Sequence, residues 1–334
     1  MKIAITADPF IPVPPVLYGG IERIIELLIN ELTQQGHEVT LFAHRDSTVS
    51  CRLVPYPGEN KDFKNALVIN KRLIAEKFDL IHSFGRLVYL LPQLFRRTPV
   101  LMSYQREPTI RQIKRAMMIS LKGTLSFTGC SNYITDQIRP FAPVYTVYNG
   151  VDIRKYTPQY RVAQNAPLVF LGRIEPIKGP HTAIEIALTT GRPLLIAGNI
   201  PADHTDYFDR QIKPLLNDQI TYLGPVNDEQ KNELLGKALA LLMPIHWEEP
   251  FGIVMIEAMA CGTPVLALRR GAVPEVVTEG LNGFSAETPE GLMGKVDLLA
   301  GMDRKKVRMS VEKLFSPGVI TAEYVKIYNQ LIGA

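Results

Sequence analysis

Two acidic and two basic side chains in the second half of this 334-residue chain offer the clearest chemistry. In HWEEPFGIVMIEAMACGTPV (246–265), Glu249 precedes a Pro-Phe-Gly turn, and the spacing predicts a helix starting near Ile253 with Glu257 in its first turns. Carboxylates accept hydrogen bonds from hydroxyls, so this pair suits two polyol groups, such as a ribose and a hexose, with the helix amino end near a phosphate. Ile253, Val254, Ile256 and Met259 flank Glu257, which predicts a largely buried helix whose carboxylate needs partners. The plainer alternative is a surface Glu257, with Glu249 acting only on the helix dipole. In LGRIEPIKG (171–179), Arg173 and Lys178 stand five residues apart on one expected strand-end loop. A planar guanidinium fork and a movable ammonium could close on two adjacent phosphates, whereas either alone reads as a solvated surface charge. Gly19 and Gly20 directly precede an expected helix. They suit backbone N–H groups and a positive helix end facing a diphosphate, although a plain flexible loop fits the same pair. Neither GxGxxG nor GxxxxGK[ST] occurs, which argues against an NAD enzyme or a P-loop NTPase.

The elements that must hold these residues follow from periodicity. KIAITA (2–7) reads as a strand, and Ile21, Ile24, Ile25, Leu28 and Leu32 mark one face of a helix that leads into the strand HEVTLFA (37–43). Short apolar strands at 79–84, 99–104 and 124–130 continue the pattern, and others at 168–172, 193–198, 220–224, 239–245 and 264–268 repeat it. Alternation of strands with helical stretches predicts parallel sheets covered on both faces. The expected architecture is α/β, two Rossmann-like parallel-sheet domains facing each other across a cleft. Periodicity stops within 149–167, which sets domains at 1–155 and 156–318 and a final helix at 319–334. Ligands of such sheets bind beyond the carboxyl ends of strands, so the loops after Ala7, Gly172, Gly198 and Ile245 should hold the site.

Composition narrows the class further. With 46% hydrophobic and 21% charged residues the chain reads as an ordinary globular protein. It has no apolar run of the roughly 18–20 residues needed to span a membrane, and MKIAITADPF lacks the features of a signal peptide, so a cytoplasmic location is expected. Cys51, Cys130 and Cys261 are widely spaced and predict reduced thiols without a structural metal. The net charge of +4 is too small to indicate nucleic acid, but it is unevenly placed. Residues 1–150 hold 18 Lys+Arg against 12 Asp+Glu and residues 151–334 hold 19 against 21, so the halves carry +6 and −2. The N-terminal half should therefore meet something anionic. Seven basic residues and only Glu107 on the acidic side lie between Arg96 and Lys122. IRQIKRAMMISLK (110–122) reads as a basic amphipathic helix with Ile110, Ile113, Met117 and Leu121 inward. A solvated face over an ordinary core is the favoured reading, and weak peripheral contact with an anionic bilayer or an acidic acceptor is the sharper one.

YGGIERII (18–25), YNGVD (148–152), GRIEPIKG (172–179) and EEPFGIVMIEAMACGTPV (248–265) together resemble the GT-B fold glycosyltransferases, specifically the retaining enzymes of glycosyltransferase family 4. The order and spacing match over nearly the whole chain, and FSPGVITAEYVKIYNQLIG (315–333) resembles the family's final helix, which returns to the N-terminal domain. The resemblance implies transfer of a hexose from a nucleotide-diphosphate sugar, UDP-sugar first among them, to an acceptor hydroxyl without metal or cofactor. It implies that Gly20, with Gly19, contacts the donor diphosphate and that Arg173 and Lys178 bind it from the other side. Glu257 would hold the ribose and Glu249 the transferred sugar. The backbones of Phe251, Gly252 and Ile253 would meet sugar and phosphate, and that of Val226 the base. No Asp-x-Asp triplet occurs, as expected where cationic side chains take the place of a metal. The family's D-x-x-H-x-H segment departs here: DLIHSF (79–84) keeps His82 but has Phe84 at the second histidine. His82 reads as a sugar contact or as a histidine packed at a strand end. Tyr104, Gln105 and Arg106, past another strand, are candidates for acceptor contact. Donor binding alone would preserve most of these motifs, so an epimerase or hydrolase of the same fold and a non-catalytic nucleotide-sugar binder share the pattern behind the transferase.

Overall fold

The computed structural model describes residues 1–15 and 19–333; Tyr18 of the YGGIERII motif lies outside the described residues. The chain divides into two compact units, one of residues 1–150 with 317–334 and the other of residues 151–316. In the first unit β1 (Lys2–Thr6), β2 (Glu38–Ala43), β3 (Arg52–Pro55), β4 (Leu80–Ser83), β5 (Val100–Tyr104), β6 (Leu125–Gly129) and β7 (Val144–Thr146) form a sheet in the order β3-β2-β1-β4-β5-β6-β7. Every neighbouring pair is parallel, with Ile3 of β1 opposite Val39 of β2 on one side and Leu80 of β4 on the other. In the second unit β8 (Leu168–Leu171), β9 (Leu194–Ala197), β10 (Ile220–Gly224), β11 (Ala240–Met243), β12 (Val265–Leu268) and β13 (Gly283–Ala286) pair in parallel in the order β10-β9-β8-β11-β12-β13. Both sheets reverse direction beside their first strand, the Rossmann-like pattern that places ligands at the strand ends flanking that point.

Central strands are buried on both faces and mostly apolar, as covered parallel sheets require: Ile3, Ala4 and Ile5 of β1 and Leu241 and Leu242 of β11 are fully or almost fully buried, while His82 and Ser83 of β4 are buried polar residues. The helix Gly20–Gln34 turns Ile24, Ile25, Leu28 and Leu32 inward, while Ile21 at its start is half-buried. All three cysteines are free thiols, Cys130 and Cys261 buried and Cys51 half-buried.

The chain passes to the second unit at residue 150, five residues before the expected boundary. Two buried arginines on the helix Arg304–Leu314 explain the shift. Arg308 donates to the carbonyls of Ile153 at 3.0 Å and Tyr156 at 3.2 Å, and Arg304 donates to that of Gln159 at 2.6 Å. The Val151 amide also donates to the Phe315 carbonyl at 2.9 Å. The segment that reads as a linker is thus fastened to the second unit by backbone acceptors, which leave no trace in hydropathy. The final helix, Pro317–Ile332, packs against the helix Gly20–Gln34 and β4 of the first unit.

The basic segment forms a shorter helix than expected, Ile110–Ile119. Ser120 takes an extended conformation, and the Leu121 amide donates to the Leu94 carbonyl at 2.7 Å instead of continuing the helix. Ile113 is buried as expected, but Leu121 is 43% exposed, so Ala116 takes its expected place in the core.

Candidate functional site

The loop after β8 and the loop after β11 meet through a charged pair. Lys178 donates from Nζ to Glu249 Oε2 at 2.7 Å, and its ammonium also lies 4.5 Å from the centre of the Trp247 ring. Trp247 Nε1 donates to the same oxygen at 2.8 Å. Among the described residues no protein donor reaches Glu249 Oε1, so half of the carboxylate keeps its acceptor capacity. Gly179, directly after Lys178, has φ of 74°, and a Cβ there would lie 2.0 Å from the Pro244 carbonyl oxygen at the end of β11. Only glycine allows the two loops to approach this closely.

Arg173 does not join Lys178. Its Nη2 lies 2.9 Å from Oε1 of the buried Glu175, and His204 Nε2 is 3.7 Å from the other oxygen of that carboxylate. The two cations that the sequence places on one loop are therefore held by different acids.

The helix Ile253–Ala260 starts where the sequence predicts, capped by Gly252 in the left-handed region at φ of 79°. Phe251 turns its ring into the core against Phe315, with centroids 5.8 Å apart, so only its backbone remains for a ligand. Glu257 is buried as expected, and its partners are residues to which the sequence gave no role. Tyr156 donates to Oε1 at 2.7 Å, and Lys231 donates to the same oxygen at 2.6 Å. As with Glu249, the second oxygen has no protein donor among the described residues. Val226 is half-buried at the turn after β10, one residue before Asn227, which caps the helix Asp228–Lys237 that carries Lys231.

In the first unit Gly19 is followed by a buried carboxylate, that of Glu22, in the first helical turn. Burial raises its pKa, and the negative charge of Asp8 adds to the effect, while a backbone hydrogen bond opposes it. A Cβ on Gly19 would lie 2.8 Å from Glu22 Oε2, so this glycine makes room for the acid. His82 is no surface ligand. It is fully buried in β4, with Nδ1 2.6 Å from the Tyr328 hydroxyl and Nε2 2.7 Å from the Ser103 hydroxyl. Phe84 packs on it at 4.4 Å between centroids, and desolvation lowers its pKa to about 3. The neutral ring is a core hydrogen-bonding group, so of the two readings of His82 it is the packed histidine at a strand end and not the sugar contact. Tyr104 and Arg106, with Phe84, line a cavity of about 640 Å³ in this unit. Burial raises the Tyr104 phenol to about 12.

Two doubly wound units, each built on a parallel sheet, are the GT-B fold found in glycosyltransferases, and the second carries carboxylates and cations on its strand-end loops. The family comparison agrees: the model for glycosyl transferases group 1 matches residues 154–311 and that for Glycosyltransferase Family 4 matches residues 18–155. The chain belongs to this family. It is 26% identical to the spore coat protein SA of Bacillus subtilis, over 92% of each chain. Among solved structures, AviGT4, a glycosyltransferase involved in avilamycin A biosynthesis, is 25% identical with a TM-score of 0.72, covering 100% of this chain and 98% of that one. Anabaena Alr3699/HepE in complex with UDP-glucose shares the fold at a TM-score of 0.78 and 18% identity, covering 99% of this chain and 100% of that one. No helix among the described residues is long and apolar enough to cross a membrane.

Proposed function

We propose that the chain transfers a hexose from a nucleotide-diphosphate sugar, UDP-hexose first among them, to an acceptor hydroxyl with retention of anomeric configuration and without a metal ion. One observation carries the reading: Glu249 and Glu257 are each held through a single oxygen by a lysine and an aromatic donor, which leaves the other oxygen to accept substrate hydroxyls. Glu249 takes hydroxyls of the transferred sugar and Glu257 those of the ribose. The backbones of Phe251, Gly252 and Ile253 meet sugar and phosphate at the amide end of the Ile253–Ala260 helix, and the backbone of Val226 meets the base. UDP is favoured because the structurally similar Anabaena protein is described with UDP-glucose.

The reaction breaks the bond between the anomeric carbon and the leaving phosphate oxygen while the acceptor oxygen attacks from the same face, and that phosphate oxygen takes the acceptor proton. Charge grows on the diphosphate as the bond breaks. Lys178, Arg173 and the helix amides stabilise that charge more in the transition state than in the ground state, the role a metal has elsewhere.

A thermal-shift series with UDP-, GDP- and ADP-sugars tests the donor. A sugar nucleotide at 100 times its Kd stabilises the folded chain by about 2.7 kcal/mol. Transfer is tested by acceptor-dependent release of UDP in the presence of a chelator. Absence of any nucleotide-sugar shift, loss of turnover with the chelator, or UDP release that ignores the acceptor would each overturn the corresponding part.

A further inference from the structure

The 640 Å³ cavity of the N-terminal unit lies at the carboxyl ends of the neighbouring strands β4 and β5, and its walls differ in chemistry. Arg86, Arg106 and Arg115 line it against a single acidic residue, Glu107. That acid is already engaged, since Tyr133 donates to its Oε1 at 2.9 Å. Arg86 is paired with Asp62 at 2.8 Å, and Arg106 reaches Asp8 only at 3.6 Å, beyond a good hydrogen bond. No carboxylate lies within ion-pair distance of Arg115 among the described residues. Two guanidinium groups thus retain donors at the rim of one concavity, the arrangement that binds a planar or tetrahedral oxyanion.

The remaining wall is apolar and open. The segment Leu87–Phe95 and the helix Ile110–Ile119 pack together, and from them Val88, Leu91 and Ile119 line the cavity while being 53%, 38% and 42% exposed. Phe95 and Met118, on the same two elements, are 66% and 77% exposed. An apolar wall open to water beside a cavity offers a surface that an apolar ligand portion can cover.

We infer that this pocket receives the acceptor and that the acceptor is an amphiphilic anion, carrying an acidic group for Arg106 and Arg115 and an apolar portion for the wall of Val88, Leu91 and Ile119. The assignment as acceptor site rests on the transfer reading above; the amphiphilic-anion selectivity stands on the cavity itself.

Isothermal titration of the full chain at low salt with octyl glucuronide, octyl glucoside and glucuronic acid separates the two requirements. Octyl glucuronide should bind about tenfold more tightly than either octyl glucoside, which lacks the charge, or glucuronic acid, which lacks the chain, a ratio corresponding to about 1.4 kcal/mol. Arg106→Ala and Arg115→Ala should each remove most of the advantage over octyl glucoside, and Val88→Ser with Ile119→Ser that over glucuronic acid. Equal binding of octyl glucuronide and octyl glucoside, or of octyl glucuronide and glucuronic acid, overturns the inference without recourse to any variant. UDP-, GDP- and ADP-sugars titrated into the same wild-type samples report the other reading: failure of all of them to bind, with the probe selectivity intact, rejects sugar transfer and leaves an amphiphile-binding pocket.

Discussion

Glu249 and Lys178 are mutually dependent, because each is mostly buried and the other supplies its charge partner at 2.7 Å. Substituting either Lys178 or Arg173 by Ala should lower kcat by a factor of roughly 10²–10³, as loss of one oxyanion donor does. The two variants should differ in stability, however. Lys178→Ala leaves the Glu249 carboxylate with Trp247 alone, whereas Arg173 is 37% exposed at its side chain and its loss should cost less. Steady-state kinetics beside thermal unfolding separates the effects, and near-normal kcat in both variants would contradict the proposed role. His82 gives a prediction of a different kind. Burial holds its pKa at about 3, against an ordinary value of 6.5, so the unfolded chain takes up the proton first. The stability gained from the neutral ring is complete above pH 6.5 and is lost as the pH falls toward 3, at about 1.4 kcal/mol per pH unit. The fall in stability from pH 6 to pH 4 should be shallower in His82→Gln by that slope, and parallel curves would show that the ring is not held neutral. The legible site residues were those whose type and spacing carry information by themselves: two acids at E-x₇-E, two cations on a glycine loop. Lys231, Tyr156, Trp247, Glu175 and Glu22 were not legible in a role. Each acts through a partner distant in sequence or a burial that its own neighbourhood does not announce, as Lys231 does from a helix that reads as polar surface.

At the scale of elements, the start of the helix Ile253–Ala260 depends on Gly252, whose φ of 79° an L side chain adopts only at a cost of about 1–2 kcal/mol. Gly252→Ala should lower the Tm and raise the donor KM together, because the same residue aims the helix amides. Gly36 is the internal control. It has φ of 81° and open space where a Cβ would stand, whereas a Cβ on Gly252 would lie 2.8 Å from Met255 Cε, so Gly36→Ala should lower the Tm by the backbone cost alone and leave the donor KM unchanged. Equal KM in the two variants would remove the helix end from donor binding. The strands show where periodicity suffices and where it fails. Buried central strands were readable as apolar runs, and the missed ones, β3, β7 and β13, all lie at sheet edges. RLVP, VYT and GFSA are short, and their burial is mixed or partial, so hydropathy barely separates them from loops.

For the molecule as a whole, the return of the final helix to the first unit makes that unit discontinuous in sequence, so its full set of contacts includes residues 317–332. The family's sequence pattern made the helix legible, but its energetic weight comes from contacts the pattern does not specify. Tyr324 and Tyr328 are almost completely buried, with rings 4.9 Å and 5.6 Å from that of His82, and Tyr328 supplies the hydroxyl beside His82 Nδ1. Loss of one buried aromatic side chain commonly costs 3–5 kcal/mol, a large part of the roughly 5–15 kcal/mol that holds a domain together. The second unit is closed on its own account by Arg304 and Arg308, which tie residues 153–159 to its core. A chain ending at Ser316 should therefore lose hydrogen-exchange protection across β4 and β5 while β8, β11 and β12 keep theirs. Tyr328→Phe should fall between the two states, because it keeps the ring but leaves His82 Nδ1 without its partner, at a cost of about 1–3 kcal/mol. Undiminished protection of β4 in the shortened chain would mean that the first unit is complete without its last helix.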